Sequence, residues 1–332
     1  MAKIVLGLAT SHTPMLLASD ETLPRFAETD QSYKLRDKDG RPASYVELLQ
    51  KADPRLAAMV KPDQLIARQN QARAAVVQLQ KSLAAGRLDI LIVLGDDQDE
   101  AHLEDCRPTF AIYCGETITN GTTQHPLYHQ RYPEWYIKNR QGFFEDSAPR
   151  HYPADAKLAL HLMDWLMDNG FDPASSMRTR KGEGEGHAVA YVHRRVMDAR
   201  SPVPVVPVFI NTYFPPNQPR PKRCYALGQA IRKAVEAIPG DACVGIIASG
   251  GLSHSLVDEE FDRAILKACA DKDAAFLQNL PRAKLHTGNS EILNWVGVAG
   301  AVEHLDLNWF EYVPGYRSPA GTGTGLSFAT WA

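Results

Sequence analysis

The chain has 332 residues and a formal charge of −3. A chain of that length buries a sizeable core, and its weakly acidic balance gives no sign of nucleic-acid or anionic-membrane binding. Its five cysteines form no C-x-x-C pair and are odd in number, which points to a reducing cytoplasm and away from a disulfide framework or a cysteine zinc site. No apolar run approaches the roughly eighteen residues needed to span a bilayer.

Lys3 to Ala9 reads as a buried first strand that ends in Thr10-Ser11-His12-Thr13-Pro14. Residues 19 to 61 are polar and predict an excursion of short helices and loops. Pro62 suits a helix first turn. Leu65, Ala72, Val76, Leu79 and Leu83 share one helical face, and Gly86 is the stop. Leu88 to Leu94 is almost continuously apolar, as buried parallel strands are, and runs into Gly95-Asp96-Asp97-Gln98-Asp99-Glu100. Thr109 to Tyr113 is a further strand.

Residues 115 to 153 are aromatic and rich in His, Pro and Gly, which suggests a substrate-facing loop region. Ala154 to Asn169 predicts a helix closed by Gly170. Val203 to Ile210 predicts a strand whose prolines suggest an edge position. Arg220 to Ile238 predicts a helix and Ala242 to Ser249 a strand. Phe261, Ile265, Cys269 and Phe276 share a face and predict one long helix. Ser290 to Glu303 predicts another, followed by a Gly/Pro/Ser/Thr-rich tail from Pro314 to Gly325. Strand–helix alternation along the whole length predicts an α/β fold, with a central, mostly parallel or mixed sheet flanked by helices. A single domain over 1–332 is expected.

The chemistry concentrates at strand ends, where open α/β sheets place ligands. His12 follows the first strand. Asp96-Asp97-Gln98 follows the second. Ser249-Gly250-Gly251-Leu252-Ser253-His254 carries an imidazole at the end of a third, and Glu260 stands in the first turn of the next helix. His187 sits in the glycine run Gly182-Glu183-Gly184-Glu185-Gly186-His187. Taken singly, each has an ordinary structural explanation: a packed histidine, a turn, a carboxylate favoured by a helix dipole. Together they suggest a mononuclear metal site with neutral ligands, a carboxylate and open positions, as in non-haem Fe(II) oxygenases.

These motifs, with Pro207-Val208-Phe209-Ile210-Asn211, Glu259-Glu260-Phe261-Asp262 and Ser290-Glu291-Ile292-Leu293-Asn294-Trp295, resemble the class III (LigB-type) extradiol catechol dioxygenases. That group includes the catalytic subunit of protocatechuate 4,5-dioxygenase and the gallate and methylgallate dioxygenases. The resemblance covers most of the chain. It implies an Fe(II) enzyme that opens the ring of a small catecholic aromatic acid with O₂, as a homodimer or with a small partner subunit. It implies that His12 and Glu260 are iron ligands, that His187 is the acid/base, and that His254 is a second active-site histidine.

One departure stands out. The family's second histidine ligand has no counterpart, because no histidine lies between His12 and His102. Gln98 is the candidate for its place, with Asp97, Asp99 or Glu100 as alternatives. His125, Tyr128 and His129, with Arg131, are candidates for binding the substrate's carboxylate or hydroxyl. A metal-free binding or non-catalytic subunit, and a zinc-dependent hydrolase, are the competing readings.

Overall fold

A computed structural model describes residues 1–122, 132–180 and 184–332. The strands are β1 (Lys3–Thr10), β2 (Ile90–Asp96), β3 (Phe110–Tyr113), β4 (Thr117–Asn120), β5 (Arg150–Pro153), β6 (Ala174–Ser176), β7 (Val205–Ile210), β8 (Cys243–Ser249), β9 (His254–Leu256), β10 (Leu307–Tyr316) and β11 (Thr322–Trp331). The longer helices are α1 (Pro62–Ala85), α2 (Ala156–Asp168), α4 (Pro221–Glu236), α5 (Glu259–Ala270) and α6 (Ile292–Ala301). A short helix, α3 (His187–Tyr191), runs on into a π-helical turn, Val192–Val196.

Nine of these strands form one mixed sheet in the order β9-β11-β1-β8-β2-β7-β3-β6, with β10 paired to β11; β4 and β5 form a separate antiparallel pair. The centre of the sheet, β1-β8-β2-β7, is parallel throughout. Side chains alternate across it, as the period of two requires. Ile92, Leu94, Val206, Val208 and Ile246 enter one core with α2, α4, α5 and α6. Leu91, Val93, Val205, Phe209 and Ile247 enter the other with α1 and α3. Both faces are covered, so the strands are continuously apolar.

The expected α/β architecture is therefore present, with two corrections and one addition. Strand β7 is interior, between β2 and β3, rather than at an edge. Pro207 is tolerated because it lies one step before Val208, where the β3 ladder begins, so its missing N–H costs no bond there. The helix after Asp258 stops at Ala270. Phe276 belongs to a separate short helix, Ala274–Gln278, and is partly exposed. The Gly/Thr-rich tail is ordered: β10 and β11 form a long hairpin, and β11 pairs with β1.

The 19–61 excursion is built of short helices and one small strand pair, as its polarity predicts. It is fastened to the hairpin by a buried ion pair. Arg317 donates to Asp30 at 2.6–3.0 Å, and the Thr322 hydroxyl donates to the same carboxylate. No helix among the described residues is long and apolar enough to cross a membrane. Removing one partner of a buried ion pair leaves the other charge stranded, which costs about 3–5 kcal/mol. Asp30→Ala should therefore lower the urea unfolding midpoint and expose residues 19–61 to proteolysis, measured by denaturation and limited trypsin digestion.

Candidate metal centre

The carboxyl ends of the four central strands lie level. Thr10 pairs with Ser249, Ser249 with Gly95, and Asp96 with Ile210. The segments leaving these ends supply His12, the Ser249–His254 turn, Asp96–Glu100 and Tyr213.

His12 is buried and its ring is fixed by Ser249. The Ser249 hydroxyl donates its one proton to the Ala188 carbonyl at 2.7 Å, so it accepts from His12 Nδ1 at 3.0 Å. In its neutral form His12 therefore carries its proton on Nδ1, and the Nε2 lone pair faces the centre. That Nε2 lies 3.2 Å from His187 Nε2, 3.4 Å from Glu291 Oε2 and 3.8 Å from Asp96 Oδ1. Ligand atoms of His12, Asp96 and His187 all fall within 4.8 Å of one another.

His187 opens α3. Its ring Nδ1 lies 2.6 Å from Glu100 Oε2, and its backbone N–H donates to the same oxygen at 3.0 Å. Burial opposes the imidazolium, but the Glu100 carboxylate, by charge and hydrogen bond, and then Asp96 outweigh it and raise His187 to about 9. Burial likewise favours a neutral Glu100, yet His187 and Arg140 hold it below its ordinary range. The pair is thus ionised, and the His187 Nε2 proton points at the His12 lone pair.

Glu291 lies at the foot of α6. Its Oε2 accepts from the Gly251 N–H at 2.8 Å and lies 3.4 Å from His254 Nε2; its Oε1 accepts from the Tyr213 hydroxyl at 2.5 Å. Burial works against its charge, but His254, His12 and the Tyr213 hydrogen bond hold it well below the usual carboxylate range. Gly250 makes this approach possible. Its φ of +154° is one that side-chain residues rarely adopt, and a Cβ there would sit 3.0 Å from Glu291 Cβ. His254 donates from Nδ1 to the Leu252 carbonyl at 2.9 Å, which turns Nε2 toward Glu291. Asp96 is pushed upward, by burial first and by Glu291 second, against the pull of His187 and His12.

The structure thus brings His12, Gln98, His187 and His254 to one place. The Gln98 amide nitrogen lies 3.3 Å from Asp96 Oδ2 and 3.4 Å from His187 Nε2. Glu260 is corrected: it is exposed and lines an open surface depression with Lys38, Arg41 and Arg55, so its carboxylate does not face the histidines. Its neighbour Asp262 is the buried member of that motif, accepting from Ser253 and Tyr312 and so bracing the His254 turn. The alternatives to Gln98 are committed elsewhere. Asp97 accepts from the N–H groups of Glu100, Ala101 and His102, Asp99 pairs with Arg107, and Glu100 holds His187. His125, Tyr128 and His129 lie outside the described residues.

Two carboxylates at the centre, Glu291 and Asp96, had no assigned role in the sequence reading. A glutamate opening the wholly buried run Ile292–Ala301 was the available signal, because a carboxylate there must find partners. The donor set suits a divalent cation. An imidazole lone pair and two buried carboxylates converge, and positive charge there would relieve the mutual repulsion that pushes Asp96 upward.

Comparison with known proteins agrees with this reading of the fold. Residues 53–292 match the family model of the catalytic LigB subunit of aromatic ring-opening dioxygenase. The chain belongs to the LigB family. The matched stretch contains Asp96, Gln98, His187, His254 and Glu291, with His12 before it. A 2,3-dihydroxyphenylpropionate/2,3-dihydroxicinnamic acid 1,2-dioxygenase of Comamonas testosteroni is 26% identical over 185 residues, 54% of this chain and 49% of that protein. The gallate dioxygenase of Pseudomonas putida (strain KT2440) is 30% identical over 193 residues, 54% of this chain and 55% of that protein. The LigB chain described here thus spans about half the length of these curated relatives.

Metal content distinguishes Glu291 from Glu260. Glu291→Ala should weaken divalent-metal binding by more than the roughly 10–100-fold typical of losing an outer-sphere partner. Glu260→Ala should leave it unchanged, as read by metal analysis after anaerobic Fe(II) loading.

Proposed function

We propose that this LigB chain is an Fe(II)-dependent extradiol dioxygenase that opens the ring of a catecholic aromatic acid with O₂. The observation that carries the reading is the facing of the His12 Nε2 lone pair, with Asp96 and Glu291 around it, by a proton-bearing His187 Nε2 at 3.2 Å. His12, Asp96 and Glu291 would hold the metal. Imidazole and carboxylate donors with open positions suit non-haem iron. When bound, iron supplies Lewis acidity to adjacent ring hydroxyls and the electrons needed for reaction with O₂.

The chain's own residues manage geometry and protons. Ser249 keeps the His12 lone pair turned inward. Tyr213 and Gly251 hold Glu291 by separate oxygens and fix its rotation. The Gln98 amide nitrogen donates to Asp96 Oδ2 at 3.3 Å and lies beside His187 Nε2. Beside a bound divalent cation His187 holds its proton less tightly. Once that Nε2 proton has been lost to solvent on loading of the cation, the neutral Nε2 would accept a ring-hydroxyl proton and later return it to an oxygen as the ring opens. His254, on the far side of Glu291, is the second imidazole available to that step.

The family, and relatives named as a gallate and a dihydroxyphenylpropionate dioxygenase, support a catecholic aromatic acid as the substrate class. Protocatechuate, gallate and methylated gallates are the substrates proposed, with His125, Tyr128 and His129 as their binding residues. A homodimer, with or without a small partner subunit, and a cytoplasmic location complete the proposal. The five unpaired cysteines fit a reducing compartment.

The test is anaerobic metal analysis, then O₂ uptake with gallate, protocatechuate and related catechols. Iron stoichiometric with the chain and a coloured ring-fission product are expected. Absence of both iron binding and oxygen consumption after Fe(II) reconstitution would overturn the reading. His187→Phe should keep its metal and lose turnover by roughly 100-fold or more, the scale of a general acid/base contribution.

A further inference from the structure

We infer that Glu100 is a positioning residue that fixes the ring orientation of His187 and keeps its Nδ1 proton turned away from the metal centre. The inference rests on the reading of His187 as the proton carrier. Its basis is geometric. One carboxylate oxygen, Oε2, accepts both the backbone N–H that begins α3 and the ring Nδ1–H, at 3.0 and 2.6 Å. A single atom therefore fixes the main chain and the ring together. With Nδ1 held, only Nε2 faces His12 and Asp96.

The surroundings are built for this contact. A Cβ on Gly186 would lie 2.8 Å from Glu100 Oε2, so a side chain there would push the carboxylate away from His187. Arg140 is buried, and its Nη2 lies 3.8 Å from the other oxygen, Oε1, which keeps the carboxylate from being a lone buried charge. The Arg140 guanidinium also lies over the Phe143 ring at 5.5 Å, and Phe143 meets the His187 ring edge to face at 6.2 Å. Carboxylate and aromatic ring thus support the imidazole on separate sides.

Glu100 arrives there because the same loop that carries Asp96 and Gln98 folds back on itself. Asp97 gathers the N–H groups of Glu100, Ala101 and His102, and Asp99 adopts a φ of +64°. Loop Asp96–Glu100 then presents a carboxylate, an amide and a second carboxylate to the centre in turn. A histidine held at Nδ1 by a carboxylate is a recurrent way of choosing which nitrogen does the chemistry.

Two variants separate position from charge. In E100Q the amide carbonyl oxygen can still accept both donors; in E100A nothing accepts either. We expect E100A to keep its metal and KM while kcat falls by roughly 100-fold, toward the loss of an acid/base contribution. We expect E100Q to recover most of that loss. A readout independent of turnover is the far-downfield proton resonance of a strongly bonded Nδ1–H in the metal-free protein, assigned by its disappearance in H187F. It should persist in E100Q and vanish in E100A.

An E100A protein with wild-type kcat and an unchanged resonance would overturn the inference. So would an E100Q protein as impaired as E100A, which would make charge rather than position the determinant. If the wild-type chain opens no catechol ring, the proposed activity fails, and the resonance alone then decides whether Glu100 positions His187.

Discussion

The hydroxyl of Ser249 ties the centre together. It stands at the end of β8, takes the Nδ1 proton of His12 from the end of β1, and gives its own to Ala188 in the first turn of α3. A hydroxyl has one proton, so the direction of both bonds is determined. That choice leaves the lone pair of His12 on Nε2, and it sets the helix that begins with His187 at a fixed height above the sheet. The level register of Thr10, Ser249 and Gly95 makes the arrangement possible. A slip of one residue would turn Ser249 to the opposite face.

Charge explains why the site is built from so many elements. Asp96, Glu100 and Glu291 are all buried, and each faces an imidazole. Buried carboxylates stay ionised only where partners repay their desolvation. Glu100 is repaid by His187 and Arg140, and Glu291 by His254, His12 and Tyr213; both fall below their ordinary range. Asp96 is not repaid in full and moves upward. The deficit sits at the carboxylate that lies between His12 and His187, at 3.8 and 3.7 Å from their Nε2 atoms, where a cation would be well stabilised. Uneven compensation among neighbouring acids is a mark of functional sites.

Sequence patterns made the central strands legible because burial on both faces leaves an unbroken apolar run, as in β1, β2 and β8. They misled at β7, where Pro207 argues for an edge but occupies a position whose partner strand has not yet begun. They also misled at the carboxyl-terminal hairpin, where Gly315, Gly321, Gly323 and Gly325 disguise long strands whose pairing is set by distant β1. At the site, His12 and His254 stand out in the sequence because each follows a strand end, and His187 because it closes a glycine run. The carboxylate expected beside the histidines, Glu260, is not there. Glu260 follows the histidine turn closely in sequence, but its helix turns it outward and buries Asp262 instead. Glu291 comes from a helix packed against the sheet, a proximity that only the tertiary fold creates.

The missing second histidine acquires a physical meaning in this setting. Gln98 stands where the family resemblance leads one to look for it, yet its amide nitrogen points at Asp96 and at His187. The carboxylate that lies nearest His12 from this loop is that of Asp96, at the very end of β2. A strand-end residue is held more rigidly than one in the loop beyond it, and Asn294 adds a hydrogen bond to Asp96 at 3.4 Å. With the Asp96 carboxylate and no imidazole from this loop, the centre is harder and more negative than one with two imidazoles. Asp96 also lies 3.7 Å from His187 Nε2 and adds to the larger effect of Glu100 in raising that imidazole. Asp96 therefore bears on both halves of the proposed chemistry, the affinity for the cation and the basicity of the imidazole beside it.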